Sequence, residues 1–504
     1  MSDWLISILR ILYAAITLWL SLYGLHSWVL LCLYWRNRRR ARPLPSVAPE
    51  KLPFVTIQLP IYNEQHVVGR LIDAAAGVDY PRDRLQIQVL DDSNDETTAL
   101  AESRAAFHRA RGIDIAVLRR PDRKGFKAGA LTWGLQQARG EFIVIFDADF
   151  VPPPHFLRRT LPYFLDQPDL AMIQTRWAHL NADYSLLTRV QAMALDGHFA
   201  VEQTARNRAG LLMHFNGTAG VWRRAAIESS GGWQSDTVCE DLDLSYRAQL
   251  AGWRCLYLPD VEGPAELPPQ MLAFKQQQAR WTQGSIQCLR KLGPQVVRSP
   301  RLNPLQKLMA LLHLSAYLGH PLLVLLLAIT VPLLLASQAT QNALNLLGIL
   351  SFGPILVYVI AQWALYPHWK RRLLALPLLV LVGTGIAWNN ALASWEGMKH
   401  WGGEFVRTPK FHLEGKEGGW RHSRYRLVRD QATLGEVLWS LYALAGAALA
   451  GVRGNWNAVP FLLLYAAAFG LVAAMSLDEG LSRGGRSAEA LSLSRKSRRG
   501  RLPI

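Results

Sequence analysis

Cysteine is scarce in this chain: four in 504 residues (Cys32, Cys239, Cys255, Cys288), with no CxxC pair and no metal-ligand spacing. That scarcity excludes a disulfide-stapled scaffold and reads as reduced thiols, with Cys239, Cys255 and Cys288 in the cytosol. No GxxxxGK[ST] phosphate loop and no internal repeat is present, so neither a P-loop nor a solenoid is indicated. Charge is thin, at 18% of residues, and acid is the scarcer sign: 38 Asp and Glu against 55 Lys and Arg, a formal charge of +17. Half the residues are apolar, and the basic ones cluster beside the apolar runs. This points to an integral membrane protein with basic cytoplasmic margins rather than to a nucleic-acid binder.

Residues 5–35 form one long apolar run broken only by Arg10 and His26, and "RNRRRAR" (36–42) follows it. The run exceeds the ~20 residues that span a bilayer and is too long for a signal peptide. Positive loops stay inside, which places the N-terminus outside and the next segment in the cytoplasm. From Pro53 to about 300, short β-rich runs at 54–60, 85–92, 113–120 and 141–149 alternate with helix-compatible segments. Such alternation predicts a mostly parallel α/β sheet. Apolar texture returns after Pro304, where 320–337, 343–364, 434–452 and 457–476 can each span. Basic loops flank a further apolar segment on both sides, so 373–398 is expected along the cytoplasmic interface as an amphipathic helix. The sum is five spans, with loops 338–342 and 453–456 outside and the tail "SRKSRRGR" (494–501) inside.

Four stretches of the soluble region carry acids or bases with chemical meaning. "FDADF" (146–150) follows a buried-looking strand, where open α/β sheets bind ligands. Asp147 and Asp149 there suit Mg2+ or Mn2+ bridged to a diphosphate, although taken alone the pair also fits a solvated turn. "VLDDSND" (89–95) ends a strand with Asp91 and Asp92, placed to hydrogen-bond a base or ribose or else to form an ordinary turn. "RKGFKAGAL" (123–131) opens a helix at which Lys127 and backbone N–H groups attract phosphate, or which is simply a solvated basic helix start. In "VCEDLDLSYRAQLAGWR" (238–254), Asp241 is either a general base or a helix cap. "QQQARWTQ" (276–283) then sets amides, a cation and a large ring together.

Order and context join these pieces. Asp91/Asp92, Asp147/Asp149, Asp241 and "QQARW" succeed one another in one α/β region beside membrane spans. This resembles the processive family 2 glycosyltransferases, whose pattern is D, DxD, D, QxxRW. "QTRWAHLNADYSLLTRVQAMALDGHFAVEQ" (174–203), "FNGTAGVWRRAAIESSGGW" (215–233) and "AELPPQMLAFKQQQARW" (265–281) look like the plant cellulose-synthase-like A and C proteins and their bacterial relatives. Those make mannan or glucomannan from GDP-sugars, or the xyloglucan backbone from UDP-glucose.

The resemblance implies a cytoplasmic GT-A domain, Rossmann-like with a mostly parallel sheet, inserted between transmembrane helices. Its expected divisions are 1–42 as the first helix with its basic margin, 43–300 as the transferase domain, 301–478 as the membrane domain and 479–504 as a basic tail. By position, Asp91 or Asp92 would hold the nucleoside and Lys127 the diphosphate, while Asp147 and Asp149 would bind metal and nucleotide. Asp241 would be the base, with Glu240 beside it. Gln277 and Arg280 would close on the departing diphosphate, and Trp281 would stack on the acceptor sugar. "EFVRTPK" (404–410), within 402–412, looks like the family's gating loop, with Phe405, Val406 and Thr408 in a variant spacing. Two departures stand out. Cys239 replaces the threonine of the family's TED triplet, and the 28 residues after Ser476 leave no room for a cyclic-dinucleotide-binding barrel.

The implied activity is inverting hexosyl transfer from UDP-glucose or GDP-mannose to a growing β-glycan, with a lipid acceptor as the alternative. That alternative is a glycolipid synthase of the glucosyl-diacylglycerol or glucosylceramide type. Membrane lipids are the expected surroundings, and nucleic acid is not an expected partner.

Overall fold

A computed structural model describes residues 3–39, 43–45, 52–336, 350–404, 406–428 and 430–481. The basic tail, loop 338–342 and Phe405 lie outside the described residues. Among the described residues seven strands build one sheet: β1 (Val55–Ile61), β2 (Leu85–Asp91), β3 (Ile115–Leu118), β4 (Phe142–Ile145), β5 (Leu170–His179), β6 (Gly220–Arg223) and β7 (Arg254–Ala265). Their spatial order is β3-β2-β1-β4-β6-β5-β7. The four strands expected from sequence are β1 to β4, all mutually parallel; β6 runs antiparallel to both β4 and β5, while β5 and β7 are parallel.

Apolar side chains cover the sheet on both faces, which is why its central strands read as continuous apolar runs rather than as alternation. The polar exceptions pair within the sheet. Gln58 Nε2 donates to Gln88 Oε1 at 3.0 Å, and Thr56 Oγ1 donates to Gln86 Oε1 at 2.9 Å, while Gln88 Nε2 has no partner among the described residues. From β1 the chain moves outward to β2 and β3, then crosses back to β4 on the other side. Crossing back opens a crevice at the carboxyl ends of β1 and β4, where doubly wound sheets take their ligands.

Among the described residues four helices are long and apolar enough to cross a bilayer: Asp3–Asn37, Ala316–Ala336, Ala432–Val452 and Val459–Gly480. The stretch expected to span at 343–364 is described only from residue 350, and its helix, Phe352–Leu365, has 14 residues. The segment expected as a single interfacial helix at 373–398 is instead a bent pair, Trp369–Gly385 and Ala387–Lys399, meeting at 41°. Its first half packs on Val459–Leu481 and its second on the long helix Met271–Arg298. A bend there fits either a broken span or a re-entrant turn, both of which bury apolar length that an interfacial helix would leave half wet.

Met271–Arg298 is the hinge between the two halves of the molecule. Its first backbone N–H groups are capped from a distant element: Glu479 Oε1 accepts from Met271 N at 2.7 Å and Oε2 from Leu272 N at 3.1 Å. A carboxylate at a helix N-terminus satisfies orphan donors and matches the dipole. Here it also pins the last membrane helix to the transferase domain.

Candidate active site

The crevice leads to a pocket of about 1040 Å³, mouth included, whose walls include Asp92, Lys127, Asp147, Asp149, Glu240, Asp241, Gln277, Arg280 and Trp281. Nine of the ten residues singled out from sequence therefore converge, drawn from positions up to the length of the domain apart. Asp91 is the exception. It is buried, its Oδ1 accepts from Ser93 N at 2.8 Å and its Oδ2 from Thr98 Oγ1 at 2.6 Å, so it holds the turn that presents Asp92. Asp92 is itself gripped by both arms of Arg120, at 2.7 and 2.6 Å.

Local geometry sets each acid. Beyond β4, Thr218 Oγ1 accepts from Asp147 N at 2.8 Å, which fixes the turn that aims the two aspartates. Gly217, at φ +83°, brings its backbone against the base: a Cβ there would meet Asp241 Oδ2 at 3.0 Å and Lys127 Nζ at 3.3 Å. Only glycine combines that conformation with that approach. On the helix Glu240–Ala251, Asp241 Oδ1 accepts from Leu242 N at 2.8 Å and the other oxygen faces the pocket side at Gly217. Cys239, in place of a threonine, packs so tightly on Gly284 that a Cβ at 284 would meet its Sγ at 2.2 Å. A small residue at 284 is thus what lets the acid-bearing loop touch Met271–Arg298, the signature helix that carries Gln277, Arg280 and Trp281.

The charges are arranged in opposed pairs. Lys127 Nζ lies 2.7 Å from Asp147 Oδ1 and 3.7 Å from Glu240 Oε1, and it donates to Gly217 O at 3.0 Å. Burial works against its charge, but Asp147 and Glu240 outweigh it and hold the ammonium above its ordinary range. Asp241 goes the other way: burial first, then the charge of Glu240, push its carboxyl up to about 7 against the pull of Lys127.

A segment that closes the mouth, described at 400–404, 406–428 and 430, carries the groups sequence reasoning largely missed. This strap lies on the signature helix, where Arg280 Nη1 donates to Val406 O at 3.2 Å and Gln287 Nε2 to Gly402 O at 2.7 Å. Both oxygens of buried Glu266 accept from its backbone, Phe411 N at 2.7 Å and Leu413 N at 3.1 Å. Arg407 pairs with Glu64 at 2.7 Å, and Lys410 Nζ sits 2.7 Å from Asp149 Oδ2. Thr408, buried and lining the pocket, has an Oγ1 with no protein partner among the described residues. Tyr62, its ring 3.4 Å beneath the Arg123 guanidinium, and Glu64 also line the wall. They follow β1, so the strand-end rule that marked Asp92 and Asp147 also points to them, whereas nothing local in sequence marks Arg407 or Lys410.

Among the described residues no three His, Cys, Asp or Glu side chains gather into a metal cage. The donor set is the two aspartates, each now balanced by a lysine. That fits a hard divalent cation of the kind that takes one or two carboxylates and completes its shell with substrate phosphates and water. It also has a measurable consequence. Lys410→Met removes the ammonium competing for Asp149, so Mn2+ should bind the nucleotide-free protein about tenfold tighter in a spectroscopic titration, as any ligand does when a competing state is removed. Equal or weaker affinity would mean the pair does not guard the aspartate.

Comparison with known proteins follows this geometry. Residues 53–284 match the family model described as Glycosyltransferase like family 2. Glucomannan 4-beta-mannosyltransferase 2 of Arabidopsis thaliana is 43% identical over 284 residues, 54% of this chain and 53% of that protein. Glucomannan 4-beta-mannosyltransferase 1 of Oryza sativa subsp. japonica is 43% identical over 282 residues, 54% of each. The chain thus spans about half the length of the curated relatives it matches. Among solved structures, the mannosyltransferase PcManGT from Pyrobaculum calidifontis, in complex with GDP-Man and Mn2+, superposes with a TM-score of 0.53 at 22% identity. It covers 77% of this chain and 99% of its own. At that identity the likeness speaks for the fold. Residues 53–284, carried among helices fit to cross a membrane, are thus a region similar to the family 2 glycosyltransferases.

Proposed function

We propose that this chain transfers a hexose from a nucleotide sugar, with inversion at the anomeric carbon, to a growing β-linked polysaccharide such as a β-1,4-glucan or (gluco)mannan. We further propose that it does so on the cytoplasmic face, with its N-terminus outside. One observation carries the reading: a single pocket holds Asp92, the two DxD aspartates, a buried Asp–Glu pair and the Gln277, Arg280 and Trp281 triad, closed by a strap. GDP-mannose is the favoured donor over UDP-glucose, because the relatives at 43% identity are named as mannosyltransferases.

In this scheme the diphosphate enters between Lys127 and Arg280, whose charges stabilise it as it leaves. Arg280 contributes a planar fork, Gln277 a neutral amide, and Thr408 Oγ1 a donor whose place is open. Bound at Asp149 and Asp147, Mg2+ or Mn2+ would add Lewis-acid neutralisation of the same phosphates. Trp281 offers the acceptor ring a flat apolar face. Asp241 takes the proton of the acceptor hydroxyl as that oxygen bonds to the anomeric carbon and the bond to the diphosphate breaks.

A base must be ionised to act, and the Asp241 carboxyl is held up to about 7. Its proton is therefore retained to higher pH than an ordinary aspartate's, and kcat/KM should fall about tenfold per pH unit below ~7, reporting the free enzyme. A profile flat down to pH 5.5 would remove Asp241 from that role. The functional reading itself is tested by a donor screen on membranes containing the chain. Polymer retained at the chromatographic origin, with 4-linked mannose or glucose on linkage analysis, supports it. Label migrating only with organic-soluble lipid makes the chain a glycolipid synthase.

A further inference from the structure

A second cavity lies apart from the chemistry above, at the foot of the first span. Its volume is about 750 Å³, mouth included. Its walls come from Leu44, just after that span, from the short helices Phe156–Thr160 and Pro162–Asp166, from the helix Thr204–Arg208 and from β7. β7 makes its share of the wall by leaving its partner. It pairs Leu258 with Thr175 and next Glu262 with Arg176, so Pro259, Asp260 and Val261 bulge out of the ladder. Bulges re-aim side chains at the margin of a sheet.

The lining is apolar in part, with Leu256, Leu258 and Val261 buried in it. Its charged members are two cations, Arg159 and Arg208, against one carboxylate, Asp260. Arg159 is exposed, and nothing among the described residues holds its guanidinium. Arg208 is half-buried; its Nη1 donates to Asn37 O at 3.4 Å and to Arg38 O, and its other nitrogens have no acceptor among the described residues. Burial works against the Arg208 charge, and Asp260 supports it only from beyond hydrogen-bond range. The hydroxyl of buried Tyr257, on the same wall, also has no partner among the described residues. A cation without a close counter-charge and an idle hydroxyl are both satisfied by an anion that carries several oxygens. The depth follows from the neighbours. Asn37 and Arg38 end the apolar helix Asp3–Asn37, and there the rings of Trp35 and Trp363 lie 5.3 Å apart, with the Arg38 guanidinium 4.0 and 5.1 Å from their centroids. Tryptophan and arginine gather in this way at the level of lipid headgroups.

We propose that this cavity binds the phosphate of an anionic membrane phospholipid, held between Arg159 and Arg208 at the foot of the first span. Each guanidinium is a planar fork that two phosphate oxygens can engage at once. The apolar wall, with Leu44 48% exposed beside it, takes the glycerol and the first acyl carbons. A free phosphate ester shares the headgroup chemistry but leaves that wall uncovered, so the lipid is the source. Once bound, the lipid ties the end of the span, through Arg208, to the bulge of β7. Its effect is therefore on the junction between membrane and transferase domain. The site stands on the membrane reading of Asp3–Asn37 and is independent of the choice of sugar donor or acceptor.

The test uses the full chain purified in detergent and titrated with phosphatidylglycerol, read by native mass spectrometry and by thermal unfolding. Phosphatidylglycerol should be retained on the chain and should raise the unfolding midpoint. Diacylglycerol with the same tails, and glycerol phosphate with none, should do neither at equal concentration. Arg159→Gln should weaken retention about tenfold, the loss of a hydrogen bond between charged groups, and Arg208→Gln at least as much. Arg208 also holds the end of the span, so its variant alone would not separate binding from folding; Arg159 holds nothing else among the described residues and decides the matter. Wild-type retention in Arg159→Gln overturns the site, as does diacylglycerol retained as well as phosphatidylglycerol. Glycerol phosphate stabilising the chain as well as the lipid does overturns the lipid as the source.

Discussion

Asp241→Asn is expected to lower turnover by ~10²-fold or more while nucleotide binding stays within a few-fold of wild type. The isosteric amide keeps the shape of the site and the backbone contact with Leu242 N, so the fold has no reason to change. What is lost is the acceptor for the substrate proton. Removing the charge also ends the cost of its burial and its repulsion with Glu240, which together outweigh the pull of Lys127 on the carboxyl, so the variant should be no less stable than wild type. A single-turnover assay separates the two effects: donor and acceptor bind, and the bond-forming step slows. Full transfer rates in the purified variant would assign the proton to another group, with Glu240 the nearest carboxylate by sequence and by its contact with Lys127.

The second large effect is on stability and lies away from the chemistry. Lys275, on the signature helix, is buried, with its Nζ 2.7 Å from Glu436 Oε1 on the membrane helix Ala432–Val452 and in contact with Asp430 at the end of the strap. Asn389 Nδ2 from the bent pair donates to its backbone oxygen at 3.0 Å. Four elements thus meet at one residue. Lys275→Met should cost ~3–5 kcal/mol, because it leaves buried carboxylates without a counter-charge rather than because the pair was strongly stabilising. Denaturation of the chain in detergent measures it. The double variant Lys275→Met/Glu436→Gln should regain most of that loss, since the amide needs no counter-ion. If the double variant is as unstable as the single, packing around Lys275, and not its charge, is what matters. Asp430 ends the strap, so the single variant should also speed amide hydrogen exchange between 406 and 428.

The glycan-synthase reading of the sequence rested on Asp91 or Asp92, Asp147, Asp149, Asp241, Gln277, Arg280 and Trp281, and all of these but Asp91 line one pocket. They were legible because each sits at a place with a local rule. An acid directly after a β run is at a strand tip, and a Gln and Arg three apart on a helix share a face. Asp91 and Asp92 were inseparable on that basis, since adjacent residues differ only in which way the turn directs them. Thr98 and Ser93 take one and Arg120 the other. The strap's Arg407 and Lys410 had no such rule. Their partners, Glu64 and Asp149, owe their meaning to the pocket they enclose and lie hundreds of residues away.

By itself the sequence determined the alternating α/β core, the apolar helices and the identities of the acids, because burial periodicity and strand-end chemistry act over a few residues. Tertiary structure alone decided which carboxylate is opposed by which cation and where the membrane-side segment 369–399 bends. Coulomb energy and desolvation depend on distances between elements, and those exist only once the sheet, the signature helix and the bundle have closed on one another.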